Sequence, residues 1–206
     1  MLTHRRSRGF SLIELLVAVS LLAILTALAM PNFTTWIRNS RVRAVADALQ
    51  SGVRLAQSEA QRRTHTVVFF LTSSKVCSTS STANASGAYW QIRTVPNALM
   101  TSDAAEAVQC GVLTDVSSGV NLGATRVDDT SQTVAALCFG ADGRQTTVSN
   151  PAAIGVDCTA GSVRFNVAPS TSRSEDRPLR LVVGLGGTIR MCDPGKDADS
   201  PEGCRS

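Results

Sequence analysis

The chain has 206 residues, a formal net charge of +4, 43% apolar residues and only 4% aromatics. That length is enough for one anchor segment and one body of ordinary domain size. The charge is unevenly spread: residues 1–30 sum to +2, residues 31–63 to +4 and residues 64–206 to −2, so the body is slightly acidic, which argues against a general nucleic-acid binder.

Phe10 to Met30 is a run of 21 residues whose only polar members are Ser11, Glu14, Ser20 and Thr26. At ~1.5 Å per residue it makes a helix of roughly 31 Å, enough to cross the hydrocarbon core of a bilayer. His4, Arg5, Arg6 and Arg8 precede it with no acid among them. Positive charge on that side predicts a cytoplasmic N-terminus and a body outside. A secretory signal peptide would carry small residues after its apolar core, where this chain has Met30, Pro31, Asn32 and Phe33. The small residue, Gly9, lies before the core. Cleavage there would remove the basic leader and leave the apolar helix on the mature chain.

Glu14 is a lone carboxylate about one turn inside this run. Left unpaired in lipid it would cost several kcal/mol, so it needs a partner. Cleavage after Gly9 would supply one, the α-amino group of Phe10, of opposite charge and within reach. A carboxylate near a helix N-terminus is also stabilised by the dipole, but the basic leader and the Gly9–Phe10 junction favour the pairing role.

The stretch Gly9-Phe10-Ser11-Leu12-Ile13-Glu14 resembles the class III signal of type IV pilins and pseudopilins. The resemblance implies cleavage between Gly9 and Phe10 by a prepilin peptidase and N-methylation of Phe10. It also implies that Glu14 serves assembly, pairing with the N-terminal amine of a neighbouring subunit. Pro31 stands where pilin helices commonly bend.

Beyond Pro31 the pattern becomes amphipathic. Val42, Val45, Ala46, Leu49, Val53, Ala56 and Ala60 recur at intervals of three and four, the spacing of one helix face. One long helix is expected from Phe10 to Arg63, with Arg62 and Arg63 suiting its negative pole. The helical arginines read individually as a solvated face. Thr66 to Leu71 is β-branched and aromatic, hence a strand, and residues 72–88 are a Ser/Thr/Ala/Gly-rich loop. Tyr89 to Val95 alternates like a strand and stops before Pro96. Residues 96–133 are weakly patterned, with short strands suggested only at Val112-Leu113 and Val120 to Leu122. Val134 to Phe139 is a strand followed by the turn Gly140 to Gly143. Ser162 to Val167, Leu179 to Val183 and Thr188 to Cys192 complete the set, with Gly184 to Gly187 as a turn.

Six cysteines fall in the body: Cys77, Cys110, Cys138, Cys158, Cys192 and Cys204. An even number outside the cytoplasmic membrane reads as disulfides. Sequence does not choose the connectivity; the local pairs 77–110, 138–158 and 192–204 are preferred because each closes a modest loop. No Cys-x-x-Cys occurs and only His65 follows the leader, which disfavours zinc or any other metal. His65 also has no flanking acid or nucleophile in a recognisable arrangement, so no catalytic site and no cofactor are expected.

Phe139-x-x-Asp142-Gly143-Arg144, then Leu181-Val182-Val183, a Gly-rich turn and Ile189-Arg190-Met191-Cys192-Asp193-Pro194 resemble the GspH/FimT family. That family comprises minor pilins of type IV pili and a minor pseudopilin of type II secretion, and the Met-Cys-Asp-Pro ending favours the pilus branch. Some members bind DNA through Gly-Arg-x-Arg; the matching stretch here is Gly187-Thr188-Ile189-Arg190. With one cation lost and acids crowding the tail, Arg190 and Arg180 are candidate DNA contacts of low strength at most.

The expectation is therefore an α+β pilin fold, a long N-terminal helix packed on an antiparallel β-sheet head. Its parts are a leader (1–9), a transmembrane and filament-core helix (10–31), an amphipathic helix (32–63) and a disulfide-bonded head (64–206). The expected function is that of a non-catalytic minor pilin in pilus assembly; a type II secretion pseudopilin and a DNA receptor for transformation are the alternatives. Its partners would be other minor pilins, the major pilin, the prepilin peptidase and the inner-membrane assembly platform. It would sit in the inner membrane with a periplasmic head before entering the pilus.

Overall fold

The computed structural model describes residues 10–97, 99–100, 102–113, 116 and 119–204, without the side chains of Ala29, Pro31 and Asn32. The leader with Gly9, and the tail residue Arg205, thus lie outside the described residues. One helix, α1, runs Leu12–Arg63. Eight strands follow: β1 Val67–Thr72, β2 Tyr89–Thr94, β3 Ala107–Val112, β4 Val120–Arg126, β5 Ala136–Phe139, β6 Val163–Pro169, β7 Leu179–Val183 and β8 Ile189–Cys192. By compactness the chain divides after Ile37.

The first unit contributes the start of α1, and its large apolar residues from Phe10 to Met30 are exposed. Ser11 caps the helix: its hydroxyl oxygen accepts from the Ile13 amide at 3.3 Å. Among the described residues no single helix is long and apolar enough to cross a membrane. Leu12–Leu28 and Phe33–Arg63 meet that measure only together, as a bent pair. The break between them holds Pro31, whose missing amide and fixed φ disfavour a straight helix.

The second unit begins at Arg38 and carries both sheets. The expected face of α1, from Val42 to Ala60, is buried throughout. It forms one core with Val67, Phe69 and Leu71 of β1, with Trp90 and Ile92 of β2, and with the inner residues of β6 and β7. The head expected as one sheet consists of two, each antiparallel and four-stranded, ordered β3-β2-β1-β5 and β4-β6-β7-β8. The division has a physical basis. β1 is apolar at successive positions and is buried on both faces, while β6 alternates and buries one. The second face of the first sheet makes a smaller core, Val68, Phe70, Ala136 and Cys138 under Ile154 and Cys158.

Trp90 shows how closely α1 approaches. A Cβ on Gly52 would stand 3.0 Å from the Trp90 ring, and one on Gly111, its partner across β3, would stand 2.3 Å away. Glycine at both places leaves the indole its room. Only Val112 of strand β3 falls in a strand expected from the sequence, because the register sets Gln109 and Gly111 opposite the core residues Ile92 and Trp90 and leaves Val112 exposed; pairing with β2 creates the strand. Disulfides join Cys77 to Cys110, Cys138 to Cys158 and Cys192 to Cys204. They tie the 72–88 loop to β3, the turn after Pro151 to β5, and the tail to β8.

Candidate assembly site and the C-terminal arginines

The apolar segment of α1 resolves its own polar groups, with one exception. The Ser20 hydroxyl donates back to the carbonyls of Leu16 (2.9 Å) and Val17 (3.0 Å). Thr26 does the same to Leu22 and Ala23, both at 2.9 Å. Ser11 caps the helix end. Glu14 sits in the first turn, exposed, and among the described residues its carboxylate has no hydrogen bond or ion pair. Phe10, one turn before it, is 83% exposed. A helix N-terminus with one free carboxylate on an apolar surface is chemically suited to an amine brought by another molecule.

The two C-terminal arginines are occupied by their own protein. Arg190 donates to the Gly203 carbonyl at 2.7 Å, beside the Cys192–Cys204 bridge and the short pairing of Asp193 with Gly203. Arg180 donates through Nε to Asn166 Oδ1 at 2.8 Å, across the β6–β7 register. Burial, and then the nearby charge of Arg164, hold the Arg180 guanidinium below the ordinary arginine range. Thr188 is exposed beside the turn, where the family pattern has its first arginine. DNA binding finds no support in this arrangement.

Sequence reasoning missed the residue that assembles the turns carrying the family signature. Gln57 of α1 donates from Nε2 to Gly143 O (2.8 Å) and to Gly187 O (2.9 Å). Those glycines end the turns after β5 and β7, one from each sheet, and both have positive φ. A polar residue beside the apolar face of α1 was the available signal. His65 Nε2 lies 3.2 Å from Asp103 Oδ2, which also accepts from the Asn97 amide at 2.7 Å. That contact brings Asp103 to the end of α1. An open cavity of about 660 Å³ beside β1 is lined by Thr72, Ser80, Ser81, Asn84, Thr133 and their neighbours, with no titratable group among them.

An N-terminal apolar helix that carries one free carboxylate and continues into the core of an antiparallel head defines a pilin-type chain. The prokaryotic N-terminal methylation motif matches residues 4–30. The chain belongs to the family described as type II transport protein GspH, whose model matches residues 45–187. No curated protein sequence matches it significantly.

Among solved structures it is similar to the type IV minor pilin FimU of Pseudomonas aeruginosa, at 14% identity and TM-score 0.49, over 76% of this chain and 92% of that one. It is also similar to the minor pseudopilin EpsH from the type 2 secretion system of Vibrio cholerae, at 12% identity and TM-score 0.46, over 77% and 99%. For Escherichia coli GspH the values are 14% and 0.42, over 75% and 89%. Likenesses this distant carry no functional argument.

Proposed function

We propose that the chain is a minor pilin, a non-catalytic subunit that enters a type IV pilus. A prepilin peptidase removes residues 1–9 and Phe10 is N-methylated. Residues 10–31 hold the subunit in the inner membrane with its head in the periplasm, and the same helix then joins the filament core. Phe33 and Trp36, stacked at 5.9 Å just beyond the apolar run, suit the membrane–water boundary. The assembly platform, the major pilin and other minor pilins are the partners of this reading.

The observation that carries it is Glu14. Every other polar side chain from Phe10 to Met30 is satisfied within its own helix. A carboxylate kept unpaired on an apolar helix gains a purpose only when a cation arrives, and a neighbouring subunit's N-terminal amine is such a cation. The test compares Glu14→Ala with wild type in membranes and in sheared pili. The variant should stay membrane-inserted and be lost from filaments. Wild-type amounts in the sheared fraction would sink the reading. Intact mass of the membrane-extracted protein should begin at methylated Phe10.

A second reading, a minor pseudopilin of type II secretion, is favoured by the description of the matching family. The same helix and Glu14 would serve it. Deleting the gene and scoring pilus formation against protein export separates the two.

A further inference from the structure

The outer face of the second sheet carries three arginines: Arg164 on β6, Arg180 on β7 and Arg190 on β8. Strand alternation sends Val163, Phe165, Leu181 and Val183 into the core, so the arginines face away from it. The register places Arg164 and Arg190 on either side of Val182, two strand spacings or roughly 10 Å apart. Arg180 lies diagonal to both. Among the described residues none of the three has a carboxylate partner.

Their hydrogen bonds go to neutral acceptors. Arg164 donates to the carbonyls of Arg126 (3.4 Å) and Val127 (3.0 Å), Arg180 to Asn166 and Arg190 to Gly203. Each guanidinium is positioned while its charge stays unanswered. No Asp or Glu occupies an outward position of β4, β6, β7 or β8.

The opposite charge lies in the loop closed by Cys192–Cys204. Asp193 Oδ1 accepts from the Gly195 amide at 2.8 Å, and Glu202 pairs with Lys196 at 3.1 Å. Asp197 and Asp199 are exposed, and among the described residues their carboxylates have no hydrogen bond or ion pair. The described link from Arg190 to this loop runs to a carbonyl, not to a carboxylate.

We propose that the outer face of β6, β7 and β8 docks the Asp197–Asp199 loop of a second copy of this chain. Two different patches meet, so the contact is heterologous and can repeat instead of closing on itself. Carboxylates offer guanidinium forks the planar, two-oxygen partner they match. Duplex DNA fits less well, because residues 64–206 sum to −2 and so repel a long polyanion more than a two-carboxylate loop. The proposal goes beyond the filament reading and does not depend on Glu14 or on the apolar helix.

The test uses the full chain in detergent micelles with a photo-crosslinking amino acid in place of Val182. Illumination should yield a dimer whose crosslinked peptide lies within residues 193–204. Arg164→Glu/Arg180→Glu should reduce that adduct at least about tenfold, and Asp197→Arg/Asp199→Arg, confined to an exposed loop, should do the same. Mixing the two variants, with the probe on the first, should restore it. Added duplex DNA should leave the wild-type adduct unchanged. No adduct, an adduct mapping elsewhere, indifference to both charge reversals, or displacement by DNA would overturn the proposal.

Discussion

Arg38 donates from Nη2 to Asp176 Oδ2 at 2.8 Å, joining the first residue of the second unit to the loop between β6 and β7. The same nitrogen reaches the Thr171 carbonyl, and the Arg173 amide donates to Asp176 Oδ2 at 2.6 Å. Beside them Asn39 exchanges hydrogen bonds with Glu175 O (3.2 Å) and the Arg177 amide (2.9 Å). The loop thus clasps the helix through both side chains, and the Asp176 side chain is only 4% exposed. Asp176→Ala should therefore leave Arg38 without its buried counter-charge. A loss of about 2 kcal/mol is expected, below the cost for a fully buried pair because Arg38 keeps some solvent contact. Denaturant unfolding of the detergent-solubilised protein measures it, and a change within about 0.5 kcal/mol would contradict the clasp.

Arg93 is fully buried and, among the described residues, has no ion pair. Its guanidinium donates to Ser78 O (2.7 Å), Ser81 O (3.0 Å) and Ala152 O (3.0 Å) and lies 5.0 Å from the centre of the Phe70 ring. One side chain thereby latches the 72–88 loop and the turn at Pro151–Ala153 onto the first sheet. Arg93→Met should fill the space yet strand three carbonyls, lowering stability by about 3 kcal/mol. Trypsin should then cut at Lys75 markedly faster. Unchanged protection at Lys75 would argue that Cys77–Cys110 holds the loop unaided.

The Cys192–Cys204 bridge closes a loop with a sequence separation of 12. Replacing both cysteines by alanine should cost about 3 kcal/mol through the freed unfolded chain. The Arg190 contact to Gly203 should loosen as well, because it depends on the tail lying beside β8. Limited proteolysis within 193–203, scored before and after the double substitution, gives the readout. Equal resistance in both forms would show that hydrogen bonds alone retain the tail.

Glu59 accepts from Arg62 at 3.1 and 2.6 Å and from Arg63 at 2.9 Å. Hydrogen bonds from Arg62, then Arg63, hold its carboxyl below the ordinary glutamate value. A depressed folded-state value means stabilisation that is complete above the unfolded value, about 4.3, and is lost as pH falls through the folded one. Glu59→Gln should thus lower Tm slightly at neutral pH, by about 2 °C. The difference should shrink as pH is taken below 4. A difference that persists in acid would mean that packing, not charge, distinguishes the variant.

Local chemistry was sufficient for much of this chain. The sequence by itself determined the apolar segment, its lone Glu14, the continuation of the helix to Arg63 and the buried stripe from Val42 to Ala60, because a 3.6-residue period needs only neighbours along the chain. Strands such as β1 and β7 were legible for the same reason, their β-branched and apolar runs being unambiguous. Only the tertiary structure decided that the strands divide between two sheets, since a strand's partners are remote in sequence. It also decided that Ala107–Val112 is a strand, which its pairing with β2 imposes on a weak pattern. The roles of Arg93, Gln57 and Arg164 belong to the same class. Composition reports their charge or polarity, while the carbonyls they meet are assembled from distant turns only when the core closes.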